Sequence, residues 1–536
     1  MSTDDADLET PTGLTRRQVL ERGAALGLAA GAGGALGATA EAAGLAAPKP
    51  KRGGTLRVAL IGGGGNKDNL DPHTTSGSAE LSQSARQLVF SKLTDMRPDG
   101  SFALQLGESI EPNKDATVWR IRIKKGIVFH DGSPLTIDDV IWTYKRILNP
   151  ADPNMAAARG NIDMIDPNGF RKIDKYTMTV KLKRPWSDMF SAFGQRYLSI
   201  IKNGAQPPFT VQNFIGTGAF KLTGWTPGTH YTYAANRHYF EHGKPYLDAL
   251  DIVGIPDPVA RVNALVAGQV DCICSVPAAQ VSLVKKAGRK LIVNPGGSWT
   301  PIVMNTNARP FNDPRVRQAM KLLINRKQAI TSAAGGYAEL GNDLFARHDP
   351  LYNRSIPQRS FDPEKAKSLL KAAGALDEQF TLYTSDAVSG AVPMALVFAQ
   401  GAKKAGVKVN VETVPSSSFW DTTWGHQPFT FSSWGYRSFF TQWVQSFASF
   451  NAEETQWNDS KQHRASRLVY AAAATADRAK QKRYTAEAQR LQWEDGGYII
   501  PYFVQTLDAS TNRVHGIQPH VFPFLSWYRM WNFWLA

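Results

Sequence analysis

Helix starts of one kind recur along this chain. NDPRVRQAMKLLINRKQAI opens with Asp313 as cap and Pro314 at the first helical position, where a missing N–H costs no hydrogen bond. FDPEKAKSLLKAAG repeats the device with Asp362 and Pro363 and stops at Gly374. In FHDGSPLTIDDVIWTYKRILN, Thr136 is the expected N-cap, with Asp138 and Asp139 in the first turn favoured by the helix dipole. The apolar Val140, Ile141, Tyr144 and Leu148 then follow helical spacing. Between such helices lie strand-like runs, KYTMTVKL, YLDALDIVGI and KVNVETV. This alternation confines the chain to an α/β or mixed α+β layered fold, with no internal repeat and no low-complexity tract after residue 53.

At 536 residues the chain is long enough for two to four domains, and 43% hydrophobic with 20% charged residues excludes wholesale disorder. The formal net charge of +15 is unusual. Lys and Arg are scattered, without a dense run or a zinc-finger or RNA-binding signature, which argues against nucleic acid and leaves anionic small molecules or membranes. The two cysteines, Cys272 and Cys274, fall two apart on a predicted strand. They point to one face, are awkward to bridge, and read as small apolar core residues rather than a redox or metal pair. GGGGNKDNLDP lacks both the dinucleotide glycine spacing and a following GK[ST], so it reads as a flexible turn.

The N-terminus carries the pattern of an export signal. Arg16 and Arg17 precede 18 uncharged residues, Gly23 to Ala40, with only three leucines, too weakly apolar for a permanent span. Ala38-Thr39-Ala40 is a small-x-small cleavage site, and the whole resembles twin-arginine signals that export folded cargo. An uncleaved anchor is the alternative; without a following cysteine, a lipid tether is excluded. Cleavage near Ala40 removes three positive and five negative residues and takes the charge from +15 to +17. A periplasmic mature protein is expected.

Residues 41–53 read as a linker, and order is expected from GTLRVALI. From there to about residue 520, seven collinear blocks carry a resemblance. They are NLDPHTT, WRIRIKKGIVFHDGSPLTIDDVIWTYKRI, GTGAFKLTGWTPG, NRHYFEHGKPYLDALDI, RVNALVAGQVD, NDPRVRQAMKLLINR and DPEKAKSLLKAAG. The sequence resembles the family 5 extracellular solute-binding proteins of peptide/nickel-type ABC importers. The resemblance implies a large bilobal clamshell of the periplasmic-binding-protein kind (type II-like, cluster C), with an extra subdomain in the N-terminal half. Lobe I would comprise 54–87, 215–300 and 506–536, the subdomain 88–214, and lobe II 301–505. A ligand touching both lobes would stabilise the closed form, which would then dock on the permease subunits. No cofactor and no metal is expected, and the protein would act as a monomer.

In peptide-binding relatives, a Trp followed three residues later by Asp lines the pocket, and the acid takes the ligand's amine. Here Trp434 holds the Trp position and Arg437 stands where the acid would be, with no Asp or Glu between Asp421 and Glu453. A guanidinium repels an ammonium and accepts a carboxylate or phosphate through two parallel hydrogen bonds. The alternative for Arg437 is a structural ion pair. Phe419, Trp420, Trp424, Trp434, Tyr436 and Phe439 would offer flat apolar faces to a ligand or be core, while Phe429, Phe431 and Phe447 read as core. By similarity, Tyr502 and Phe503, Asn305, and Thr75 and Ser76 would face the cleft. His130 and Asp131 belong to a family turn and read as structural.

The expected function is therefore a receptor for a peptide, opine-like or sugar-conjugate solute, with an anionic group favoured. An exported hydrolase finds no support, since neither GxSxG nor HExxH is present and the ten histidines lack ligand spacing. A chaperone or sensor on the same fold is the other alternative.

Overall fold

The computed structural model describes residues 49–63, 68–74, 80–447, 454–457 and 464–536. The export-signal residues Arg16, Arg17, Ala38 and Ala40, and the candidates Thr75 and Ser76, lie outside the described residues.

Thr55–Leu60 is the centre of a seven-stranded sheet. Leu56, Val58 and Leu60 are fully buried, as the alternation in TLRVAL requires, while Arg57 reaches Asp271 at 3.1 Å. The strand runs parallel to Ala249–Gly254 on one side and to Cys272–Ile273 on the other. Beyond these the sheet continues antiparallel, through Leu507–Ser510 to Lys290–Val293 on one edge and through His230–Ala235 to Phe220–Thr226 on the other. Cys272 and Cys274 are free and fully buried, and burial pushes both thiols up, so they behave as the small core residues expected.

A second sheet is antiparallel and four-stranded, in the order Gly107–Pro112, Val118–Ile123, Thr177–Leu182, Ile165–Asp174. The helix Ile137–Leu148 packs on it, its start held by Asp139, which accepts a hydrogen bond from the Thr136 N–H at 2.7 Å. The preceding turn is structural: His130 meets the Gly218 carbonyl at 3.0 Å, and Asp131 pairs with Lys202 at 2.6 Å.

The chain crosses to a third body twice. Ser298–Trp299 and Ile302–Met304 lead out, and Tyr498–Ile499 and Tyr502–Val504 lead back. The two crossings are hydrogen-bonded antiparallel, Trp299 opposite Phe503 and Ile302 opposite Ile499. Beyond them, Phe429–Phe431 joins the other edge of Ile302–Met304, and Gln379–Thr384 runs parallel to Lys408–Thr413. The helices Pro314–Leu322 and Pro363–Ala372 begin at their Asp caps, which accept from the Arg315 and Lys365 N–H groups at 2.8 and 2.9 Å.

One apolar core is shared by the four-stranded sheet and the third body. It contains Trp119 from that sheet, Trp186 and Phe193 from the segment that follows its last strand, and Trp434, Phe440 and Trp443 from the third body, with Trp186 edge-on to Phe440 at 5.7 Å. Polar contacts cross the same seam: Ser187 N–H donates to the Ala473 carbonyl at 2.7 Å, and the Tyr436 hydroxyl donates to the Gly100 carbonyl at 3.1 Å. These contacts close the 88–214 region onto the third body.

Candidate functional site

Three walls, with Met96 beside them, line a cavity of about 320 Å³. Residues 156–163 and 194–197 form one wall, 435–445 a second, and Phe522 with Trp527 a third. Arg437, half-buried, lines it. Among the described residues its guanidinium has no carboxylate partner within 4 Å; it donates to the Gly435 carbonyl at 3.1 Å and lies over the Trp434 ring, 5.0 Å from the centroid. Burial pulls its pKa down to about 10, Arg196 adds to this, and Tyr197 and Glu454 oppose it. The guanidinium is partly desolvated yet keeps its charge at neutral pH, which favours an incoming anion.

Arg196 lines the same cavity from the four-stranded-sheet side, 4.7 Å over the Tyr197 ring, and its strongest polar contact is the neutral Gln83 at 3.4 Å. The acid in the wall, Asp163, is already engaged by Arg184 at 2.9 Å. Two guanidiniums on different walls therefore share one enclosed space. Neither Arg196 nor the aromatic wall is signalled by the sequence around Arg437, because both come from segments remote from it.

The aromatic stretch serves a second purpose. Glu454, 2% exposed, accepts from the Trp424 indole at 2.9 Å, from the Trp434 indole at 3.1 Å and from the Tyr498 hydroxyl. Burial raises its pKa against these hydrogen bonds. Trp434 is stacked on Trp299 at 5.8 Å with 9° between the planes. It is 5% exposed and is not one of the cavity walls; its part is to carry Arg437.

The other candidates fall in several places. Tyr436 lines the cavity, with its hydroxyl committed to Gly100. Phe439 is fully buried in the shared core, and its N–H donates to Asp349 at 2.8 Å. Phe419 is fully buried in the core of the third body, while Trp420 beside it is 42% exposed. Trp424 is tied to Glu454. Phe503 is core, and Tyr502 borders a different cavity of about 350 Å³ beside the crossing strands. Asn305 closes a turn, accepting from the Asn307 N–H at 3.0 Å. Short-range pattern cannot separate these outcomes, since alternate residues of one segment face different bodies.

Among the described residues no three His, Cys, Asp or Glu side chains are grouped to hold a metal ion, and no helix is long and apolar enough to cross a membrane.

Residues 102–456 match the family model described as bacterial extracellular solute-binding proteins, family 5 Middle. The oligopeptide-binding protein AppA of Bacillus subtilis is 27% identical over 525 residues, covering 91% of this chain and 93% of that protein. The solved structure of AppA with a nonapeptide superposes with a TM-score of 0.70 at 24% identity, covering 91% of this chain and all of that one. The binding protein AgaA from A. tumefaciens R10, solved with agropinic acid, gives a TM-score of 0.71 at 23% identity over 90% of this chain and 99% of that one. Such neighbours are bilobal clamshells, and the mixed α/β fold described above is theirs. The chain belongs to the family 5 bacterial extracellular solute-binding proteins.

Proposed function

We propose that this solute-binding protein captures an organic anion at Arg437 and delivers it to the permease of an ABC importer. The observation that carries the proposal is the pair Arg437 and Arg196, which face one cavity from different walls without a carboxylate partner within 4 Å among the described residues. A carboxylate or phosphate bound there gains charge-assisted hydrogen bonds worth about 1.5–3 kcal/mol each. Because the two cations sit on different bodies, an anion touching both favours the closed arrangement over the open one. An ammonium group placed against Arg437 is repelled, so a peptide would enter with its carboxylate end towards Arg437.

A volume of about 320 Å³ lies at the small end of ligand sites. It suits a solute of dipeptide size or smaller, such as an opine-like amino-acid conjugate or a sugar acid, rather than the nonapeptide held by AppA. AgaA, solved with agropinic acid, is a neighbour whose ligand is itself an acid. The twin-arginine pattern at Arg16 and Arg17 supports export to the periplasm, with the signal removed near Ala40. No hydrolytic step is proposed.

Thermal-shift screening against organic-acid, sugar and peptide libraries tests the proposal. A ligand at 100 times its Kd adds about 2.7 kcal/mol of stability. Shifts from carboxylates and phosphates, absent with their amides or alcohols, are expected; strong shifts from simple dipeptides that vanish on N-acetylation would restore an amine-anchored site.

A further inference from the structure

The third wall of the cavity is built in an unusual way. Phe524, Leu525, Ser526, Trp527 and Tyr528 have φ of 77°, 51°, 60°, 58° and 56°. Five successive residues are thus left-handed, and none is glycine. Left-handed backbone is disfavoured for each of these side-chain-bearing residues, so the turn persists only where its surroundings hold it.

Those surroundings are visible. Tyr528 N–H closes the turn on the Phe524 carbonyl at 3.0 Å. The Ser526 hydroxyl accepts from the Gln518 N–H at 2.8 Å and donates to the Gln518 carbonyl at 2.7 Å. Leu525 N–H donates to the buried Asp508 carboxylate at 2.7 Å. Asp508 lies on the strand that follows the return crossing, and it also accepts from Asn294, just ahead of the outward crossing, at 2.9 Å. Asn294 in turn accepts from the His520 N–H at 3.1 Å. The turn is pinned to the segments that flank the two crossings, one just before the outward crossing and one just after the return.

The result is one apolar face. Trp527 and Phe522 meet at 3.7 Å between ring centroids, and both line the cavity that holds Arg437 and Arg196. Strain concentrated at a ligand wall is the pattern expected when position matters more than stability. We infer that Phe522 and Trp527 select the cargo, so that the preferred solute is an acid bearing a ring-sized apolar group beside its anionic end. This rests on the anion site proposed above: the guanidiniums hold the charged end, and the left-handed turn presents an apolar surface to the remainder. Burying a ring-sized apolar group there favours such a solute by about tenfold or more over its bare acid.

The test is isothermal titration of the full mature protein with succinate and with phenylsuccinate. Wild type is expected to bind phenylsuccinate at least about tenfold more tightly. Trp527→Leu and Phe522→Leu are each expected to cut that ratio by about threefold or more, and Arg437→Ala to weaken both acids. Phe522 is only partly buried, so its variant keeps the test open if Trp527→Leu fails to fold. Equal wild-type affinities, or a ratio unchanged in the folded variants, would overturn the apolar-face inference while leaving the anion site standing. An Arg437→Ala variant that binds both acids normally, or no binding of either acid to wild type at millimolar concentration, would overturn the anion site and this inference with it.

Discussion

The Arg437 guanidinium lies over the Trp434 ring at 5.0 Å, while the Trp434 indole N–H is spent on Glu454. The aromatic residue expected at the ligand is instead the platform that orients the cation, and the cation lines the cavity. A buried carboxylate, reached through two indoles and a phenol, fixes the platform.

Glu454 is therefore expected to matter for stability. Glu454→Ala leaves three donors, two of them buried, without their acceptor and should lower the unfolding free energy by about 3 kcal/mol, read from urea denaturation. Glu454→Gln keeps one acceptor oxygen and should cost distinctly less.

Asp188 stands at the seam between the 88–214 region and the third body, where Ser191 and Ser438 donate to it. Burial pushes its carboxyl up to about 7, with the nearby Asp349 adding and the two serines opposing. The folded protein thus holds a proton that the unfolded chain releases near pH 4. The stabilisation is full below that pH and is lost as pH rises through about 7. Melting temperatures from pH 4 to 8 should show this decline, and Asp188→Asn should flatten it.

Lys321 is fully buried and donates to the Trp493 carbonyl at 3.0 Å. Burial pulls its pKa down to about 7; Arg359 and Arg317 add to this, and Asp343 and Asp495 oppose it. Between about 7 and the unfolded value near 10.4 the unfolded chain binds the extra proton, so this group makes stability rise with pH across that window. Chemical denaturation at pH 7 and 9.5 should reveal the rise, and Lys321→Met should remove that component.

Gly100 has φ +86°, and a Cβ added there would stand 2.4 Å from the Tyr436 hydroxyl oxygen. Gly100→Ala should force the 97–101 turn away from the third body and weaken closure, lowering ligand affinity by about tenfold, an effect of ~1.4 kcal/mol. Small-angle scattering of the liganded variant should report a larger radius of gyration than wild type.

Much of the framework is legible in the chain itself. Asp313-Pro314 and Asp362-Pro363 open helices as read, Gly374 (φ +68°) follows the end of the second, and the cysteines are core. Local chemistry decides such features. The site is legible only in part. Arg437 stands out because it replaces an acid in a recognisable pattern, whereas Arg196, Phe522 and Trp527 reach the cavity from segments remote in sequence. Glu454 was equally hidden, since its role exists only once Trp424, Trp434 and Tyr498 converge on it. Phe419, Phe439 and Phe503 share the composition of ligand-facing aromatics, yet tertiary packing takes Phe419 into the core of the third body and the other two into the shared core.

The most direct measurement is the affinity of wild type and Arg437→Ala for the best organic-acid hit and for its neutral amide, by isothermal titration. Wild type should prefer the acid by tenfold or more, and the variant should bind acid and amide alike. Equal acid affinity in wild type and variant would contradict the account.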